Sequence, residues 1–282
     1  MMEIPDPVVE RATRAIPSLR ASLNRLAVLA NESATGARFA PDDHFAFMAL
    51  TFHAKQLEHT YAVIVLNDHP DVALIVRSML EGWWQLKWAH GDPQRRAEKW
   101  RSFSIIYDWR SIQDAKAAGL EIPPEREERT NSRLSGVRDQ FLTGKAKQAL
   151  SEKRQAPADP FQTTWHGMQI RQLVDDIGEL RLYAGPYDEF SDRHHWAPAG
   201  IGQGIRIDGK MIRYDARDAP STARALDIAF HCLYQSALLL NEHLALGFEE
   251  RLRALAERYV ADSAVIGSGG VPIFDDPAPG AT

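Results

Sequence analysis

Only one of the 282 residues, Cys232, is a cysteine, and no stretch stays apolar for long. A single thiol forms no intrachain disulfide and builds no cysteine-based zinc site, so a reducing, cytoplasmic setting is expected. The most apolar region, residues 61–90, is broken by NDHPD at 67–71 and then by Arg77, Glu81 and Lys87. No run approaches the ~18 apolar residues that a membrane helix needs. The opening MMEIPDPVVERATRAIPSLR lacks the basic start and apolar run of a secretory signal, so export is not expected. Also missing are H-E-x-x-H, the paired Glu-x-x-His motifs of helical di-iron bundles, and a G-x-x-x-x-G-K phosphate loop. GIGQG at 200–204 leads into a strand pattern and not a helix, and Glu58 and His59, beside His53, are sequence neighbours that diverge. No cofactor and no metal are expected.

What is present is ordinary globular composition, 44% hydrophobic and 25% charged, with a formal net charge of −5. That charge argues against a general affinity for nucleic acid or anionic membrane. A nucleic-acid partner would need a local basic groove, for which residues 126–154, where Lys and Arg outnumber Asp and Glu, are the candidate. A helix-mediated homodimer is compatible with the composition, and no other partner is legible.

Helical periodicity dominates. Residues 7–32 repeat apolar positions at spacings of three and four, with Pro17 a candidate kink. A second helix, capped by Asp42 or Asp43, runs to about Leu66; a third lies between Pro70 and Gly91; a fourth runs from Asp92-Pro93 to about Ala118. A helical period spans Trp165 to Leu182, Gly185-Pro186 breaks it, and a short helix carries 187–195. Asp208-Gly209 suits a two-residue turn that places Ile205, Ile207 and Ile212 on one face of a hairpin. A long helix at 219–245 and a shorter one at 248–261 follow. The expected architecture is all-α: a bundle of about seven to nine helices with one small β-hairpin near 205–213. Residues 1–262 form one domain with its core in 40–245, and 263–282 form a flexible tail.

Two polar groups interrupt the third helix, which is otherwise apolar nearly all round and reads as central and buried. Arg77 and Glu81 lie four apart, on one face, and can pair. Trp83, Trp84 and Trp88 on the same helix read as core. Two buried ions cost several kcal/mol each to desolvate, and one contact repays that only with further hydrogen bonds, so other polar partners are expected. EFSDRHHW at 189–196 supplies candidates. Tyr187, Ser191 and His195 fall at i, i+4 and i+8, while His194 is turned about 100° from His195. No G-x-S-x-G elbow surrounds Ser191, so a serine hydrolase is not indicated. Arg38–His44 and Arg224–His231 match the arginine–histidine spacing of HEPN-type helical ribonucleases, but 25 arginines and 10 histidines give such matches by chance.

IVRSMLEGWWQLKW at 75–88 with YDEFSDRHHW at 187–196 resembles the paired signature of a bacterial domain-of-unknown-function family, an Arg-Ser and Glu helix followed by a Ser-x-x-x-His segment. The resemblance covers roughly residues 40–245, and implies an all-helical body and the site residues Arg77, Glu81, Ser191 and His195. It supplies no reaction; by analogy only, some loosely similar helical proteins act in phage defence. Two readings follow for the four residues, with His195 expected to approach Arg77 and Glu81. In one they line a buried polar pocket for metal-independent phosphodiester cleavage, Arg77 holding the charge and His195 moving the proton, as in a ribonuclease. In the other they close into a structural network, and function lies on the surface or at an interface.

Overall fold

The structure is a computed structural model that describes residues 7–66, 69, 71–194, 205–208, 211–214 and 218–263. The all-α class holds. Helices α1 (Pro7–Ala34), α2 (His44–Leu66), α3 (Val72–His90), α4 (Pro93–Ser102), α5 (Ser104–Ala117), α6 (Pro124–Phe141) and α7 (Gly144–Ser151) are followed by the short α8 (Ile170–Asp176) and α9 (Leu180–Leu182). A π turn (Tyr183–Tyr187) runs into α10 (Asp188–His194), and strands β1 (Ile205–Asp208) and β2 (Met211–Tyr214) precede α11 (Ala219–Leu244) and α12 (Glu249–Ser263). Nine of these helices reach eight residues or more among the described residues.

α11 packs on α1, α2 and α3, which places it at the centre of the bundle beside α3. Its small residues Ala225, Ala229, Ser236 and Ala237 are buried and let the neighbouring helices approach closely. α3 buries Val76, Met79, Leu80, Trp83, Trp84 and Leu86, as its apolar circumference required. Buried residues run in one cluster from Ala12 on α1 to Tyr259 on α12, so the packed interior extends past the expected 40–245 at both ends.

Asp43 caps α2, accepting from Ala46 N–H at 2.9 Å. The same carboxylate accepts from Gln94 of α4 at 2.9 Å and lies 3.0 Å from His243 Nε2 of α11, so three helix ends meet on one side chain. Burial alone would raise the Asp43 carboxyl, but the bonds from Ala46, Gln94 and His243 outweigh it and hold the group below its usual range.

Four expectations are corrected. The helix expected from Asp92 to Ala118 is two, parted at buried Phe103, beside which the Ser104 hydroxyl bonds back to Arg101 O. The period expected from Trp165 to Leu182 holds only as α8 and α9, because Gly178, at φ +76°, takes the left-handed turn that closes α8. Gly185-Pro186 does not break the chain; a π turn carries it through, its wider ring accommodating the pyrrolidine that lacks an N–H. In the hairpin Asp208 pairs with Met211 and Ile207 with Ile212, so Asp208 belongs to the ladder and not to the expected Asp208-Gly209 turn, whose Gly209 lies outside the described residues. Ser263, expected to open the tail 263–282, closes α12, and the rest of that tail, 264–282, lies outside the described residues.

Asp227 on α11 accepts from the Tyr259 hydroxyl of α12 at 2.7 Å. Burial pushes its carboxyl up from 3.8 to about 6, against a partial offset from the Tyr259 bond. A folded-state value above the unfolded one means that folding favours the protonated acid; stability is full below the unfolded value and falls as pH rises through about 6. Asp227→Asn should therefore melt higher than wild type at pH 7.5, by about 2–5 °C, and lose that advantage at pH 4. Calorimetry at both pH values checks this; the same difference at each would contradict it.

Candidate functional site

α10 lies across α3, and the contact joins the two segments singled out by the sequence. Arg77 and Glu81 stand one helical turn apart on α3; Tyr187 closes the π turn and Ser191 follows one turn later on α10. Arg77 Nε donates to Ser191 Oγ at 3.0 Å and Nη2 to Tyr187 Oη at 3.0 Å. Nη2 also lies 3.0 Å from Glu81 Oε1, so the expected i,i+4 pair forms. Tyr187 Oη in turn donates to Glu81 Oε1 at 2.8 Å, and Ser191 Oγ donates to Tyr187 O at 2.7 Å. Three of the four expected residues thus meet. His195 lies outside the described residues, so its expected approach to Arg77 and Glu81 is not described.

Tyr187, in the 187/191/195 stripe, carries no expected role, yet its ring packs against Trp84 and stacks on Tyr183, each at 5.2 Å, while its hydroxyl links Arg77 to Glu81. Burial first, then the bond donated to Glu81, pushes its phenol up to about 12, so the group stays a neutral donor at any ordinary pH. The expected full burial of the ion pair is corrected: the side chains of Arg77 and Glu81 are 19% and 35% exposed. Long polar side chains reach the surface from an apolar helix, which lowers their desolvation cost.

The arrangement leaves little chemistry to Ser191. Its one proton goes to Tyr187 O and one of its two lone pairs accepts from the Arg77 guanidinium, so the proton that a general base would take is already held by a backbone carbonyl. Arg77 already has a carboxylate as counter-ion. The two arginine–histidine matches lie elsewhere. Arg224 pairs with Glu189, and His231 is buried edge-on to Trp83.

A cavity of about 820 Å³ opens between α2 and α3, walled by Phe52, Gln56 and His59 on one side and by Ser78, Glu81 and Gly82 on the other. Glu81 belongs to both the network and the cavity. His59 Nε2 is 3.4 Å from Ser78 Oγ, and burial, helped by the nearby Lys55 charge, holds this imidazole below its usual value. In the sequence His59 stands out only as a metal-ligand candidate that its divergence from Glu58 dismisses. The signal available was that Ser78, Gly82 and Gln85 put short or polar side chains on one face of an otherwise bulky helix. Among the described residues no group of His, Cys, Asp and Glu is placed to hold a metal ion, and no helix is long and apolar enough to cross a membrane.

A family model described as a family of unknown function, DUF5677, matches residues 46–211, more than half of the chain, and the chain belongs to that family. The match spans both halves of the network, from α2 to the start of β2. No curated protein and no solved structure matches the chain.

Tyr187→Phe removes one hydroxyl that bonds a cation and an anion at once, while the ring stays packed. Hydrogen bonds to charged groups contribute about 1.5–3 kcal/mol each when buried, and partial exposure reduces that. The expected loss is about 1–3 kcal/mol by urea unfolding, whereas Tyr183→Phe, stacked on the same ring, leaves the midpoint unchanged.

Proposed function

We propose that this member of a family of unknown function is a non-enzymatic binding or interaction protein of the cytoplasm, whose Arg77–Glu81–Tyr187–Ser191 cluster is a latch that holds α10 on α3. One observation carries the reading: both hydrogen-bonding roles of the Ser191 hydroxyl, and the Nε and Nη2 groups of Arg77, are taken by the protein itself. A catalytic constellation keeps its nucleophile and its charge-stabilising donors aimed at a substrate; here they are aimed at each other. The single free cysteine, Cys232, is buried and its thiol is pushed well up by burial, which suits a protein of a reducing compartment with no thiol chemistry. Residues 1–262 act as one helical domain in this reading.

Metal-independent phosphodiester cleavage, as in a ribonuclease of the defence-effector kind, is the second reading. What favours it is that Arg77 Nη1 carries none of the described bonds and that His195 follows Ser191 by four positions, one helical turn in an uninterrupted helix. It would also need the basic 126–154 segment as a positive surface. There Arg126 faces Ser111, Arg133 lies 3.6 Å from Asp108, and α6 packs on α5.

Expression with readout of cellular RNA integrity, growth and melting temperature separates the two. The latch reading expects intact RNA with wild type and with His195→Ala, and a melting temperature lowered by about 2–4 °C in Ser191→Ala for the ~1 kcal/mol of a lost hydrogen bond. Wild-type RNA degradation that His195→Ala abolishes at an unchanged melting temperature would replace it with the nuclease reading.

A further inference from the structure

Hydrogen-bond donors without acceptors gather around Lys99 on α4. Its Nζ stands over the ring of Phe141, at the end of α6, 5.8 Å from the centroid, and the side chain is half-buried. Arg95 lies four positions earlier, on the same face of the helix, where like charges repel. Arg95 has Asp92 as counter-ion, whereas Lys99 has no hydrogen bond or ion pair among the described residues. The charges that act on Lys99 are those of Lys147 on α7 and of Arg95, and both are positive. Burial first, then these two neighbours, hold its ammonium below its ordinary range. Lys147 is exposed and is likewise without an acceptor among the described residues.

His166 adds a neutral donor. Its ring is set edge-on against Trp88 and Trp165, at 6.2 and 5.4 Å, and its Nδ1 accepts from Met168 N–H at 3.2 Å. The ring proton of the neutral imidazole therefore sits on Nε2, which has no partner among the described residues and is not sealed from solvent. Burial, then the Lys99 charge, pushes this imidazole down to about 4, so at neutral pH it offers an N–H and no further positive charge.

We propose that Lys99, Lys147 and His166 form a site for the phosphate group of a small molecule, the two ammonium groups meeting its charge and the His166 N–H one of its oxygens. Lysine serves phosphate as a point charge, and a dianion offsets two lysines at once. A singly charged carboxylate would leave one of them unmet. A long polyanion is disfavoured by Glu98, exposed on α4 next to Lys99, and by the net charge of −5. None of the three residues lines the α2/α3 cleft or belongs to the latch, so the proposal goes beyond the latch reading and does not rest on it.

The test titrates the full chain with inorganic pyrophosphate by isothermal calorimetry at neutral pH and about 0.05 M salt, where screening is weak. Saturable binding at one site per chain is expected. Lys99→Met keeps an apolar stem over Phe141, removes the charge, and should weaken pyrophosphate at least about tenfold. Lys147→Gln, at an exposed position, should weaken it at least about threefold, and decides the matter should Lys99→Met not fold. Arg129→Gln, an equal loss of charge about three helical turns before Phe141 on α6, should leave the affinity unchanged. Acetate at the same ionic strength should not displace pyrophosphate. Non-saturating binding, affinity indifferent to a folded Lys99→Met or Lys147→Gln, an equal loss with Arg129→Gln, or displacement by acetate would overturn the proposal. So would a single-stranded RNA that binds through Lys99 where pyrophosphate does not, which would give the cluster to nucleic acid.

Discussion

A guanidinium carried on an apolar helix has to be met by acceptors, and that requirement organises the second half of this chain around α3. Arg77 presents donors and no acceptor, and its neighbours on α3, Val76, Met79 and Leu80, offer nothing polar. Glu81 supplies the one local acceptor. The others, Tyr187 and Ser191, arrive from 110 and 114 positions further along. Bringing such distant groups together costs loop-closure entropy that grows only slowly with length, so the latch is affordable even across the long excursion through α4 to α9.

The same logic explains why the network is only partly buried. A fully buried ion pair would have to repay several kcal/mol of desolvation per ion. Letting both side chains touch solvent lowers that cost, and the Tyr187 hydroxyl, a neutral donor and acceptor between the charges, adds directional bonds without adding charge. The arrangement has a consequence for Glu81. Glu81 holds Arg77 and Tyr187 through one oxygen and also lines the α2/α3 cavity, so one residue belongs to both the latch and the cleft.

Much of this was legible in the residues. The i,i+4 spacing of Arg77 and Glu81 on a helix apolar elsewhere demanded further partners, and the 187/191 stripe offered them. The caps were legible too, because Asp43 before α2 obeys local chemistry. The π turn was not, since Gly185-Pro186 has the composition of a break, yet the helix runs through it. Nor was the split at Phe103, a single residue between α4 and α5 that no Pro or Gly announces. The cleft was invisible for another reason: it is defined by where two helices diverge, and Gly82 and Gln56, read singly, look like a weak helix position and a surface amide.

The most direct test of the latch is a double-mutant cycle between Arg77→Ala and Ser191→Ala, read by urea unfolding with Tyr187 intact. If the two helices are joined through these side chains, the losses are non-additive by at least about 1 kcal/mol, because removing either residue frees the other from its partner. Strict additivity would mean that Arg77 and Ser191 do not interact in solution, and the account of α10 as held to α3 by the guanidinium would fail.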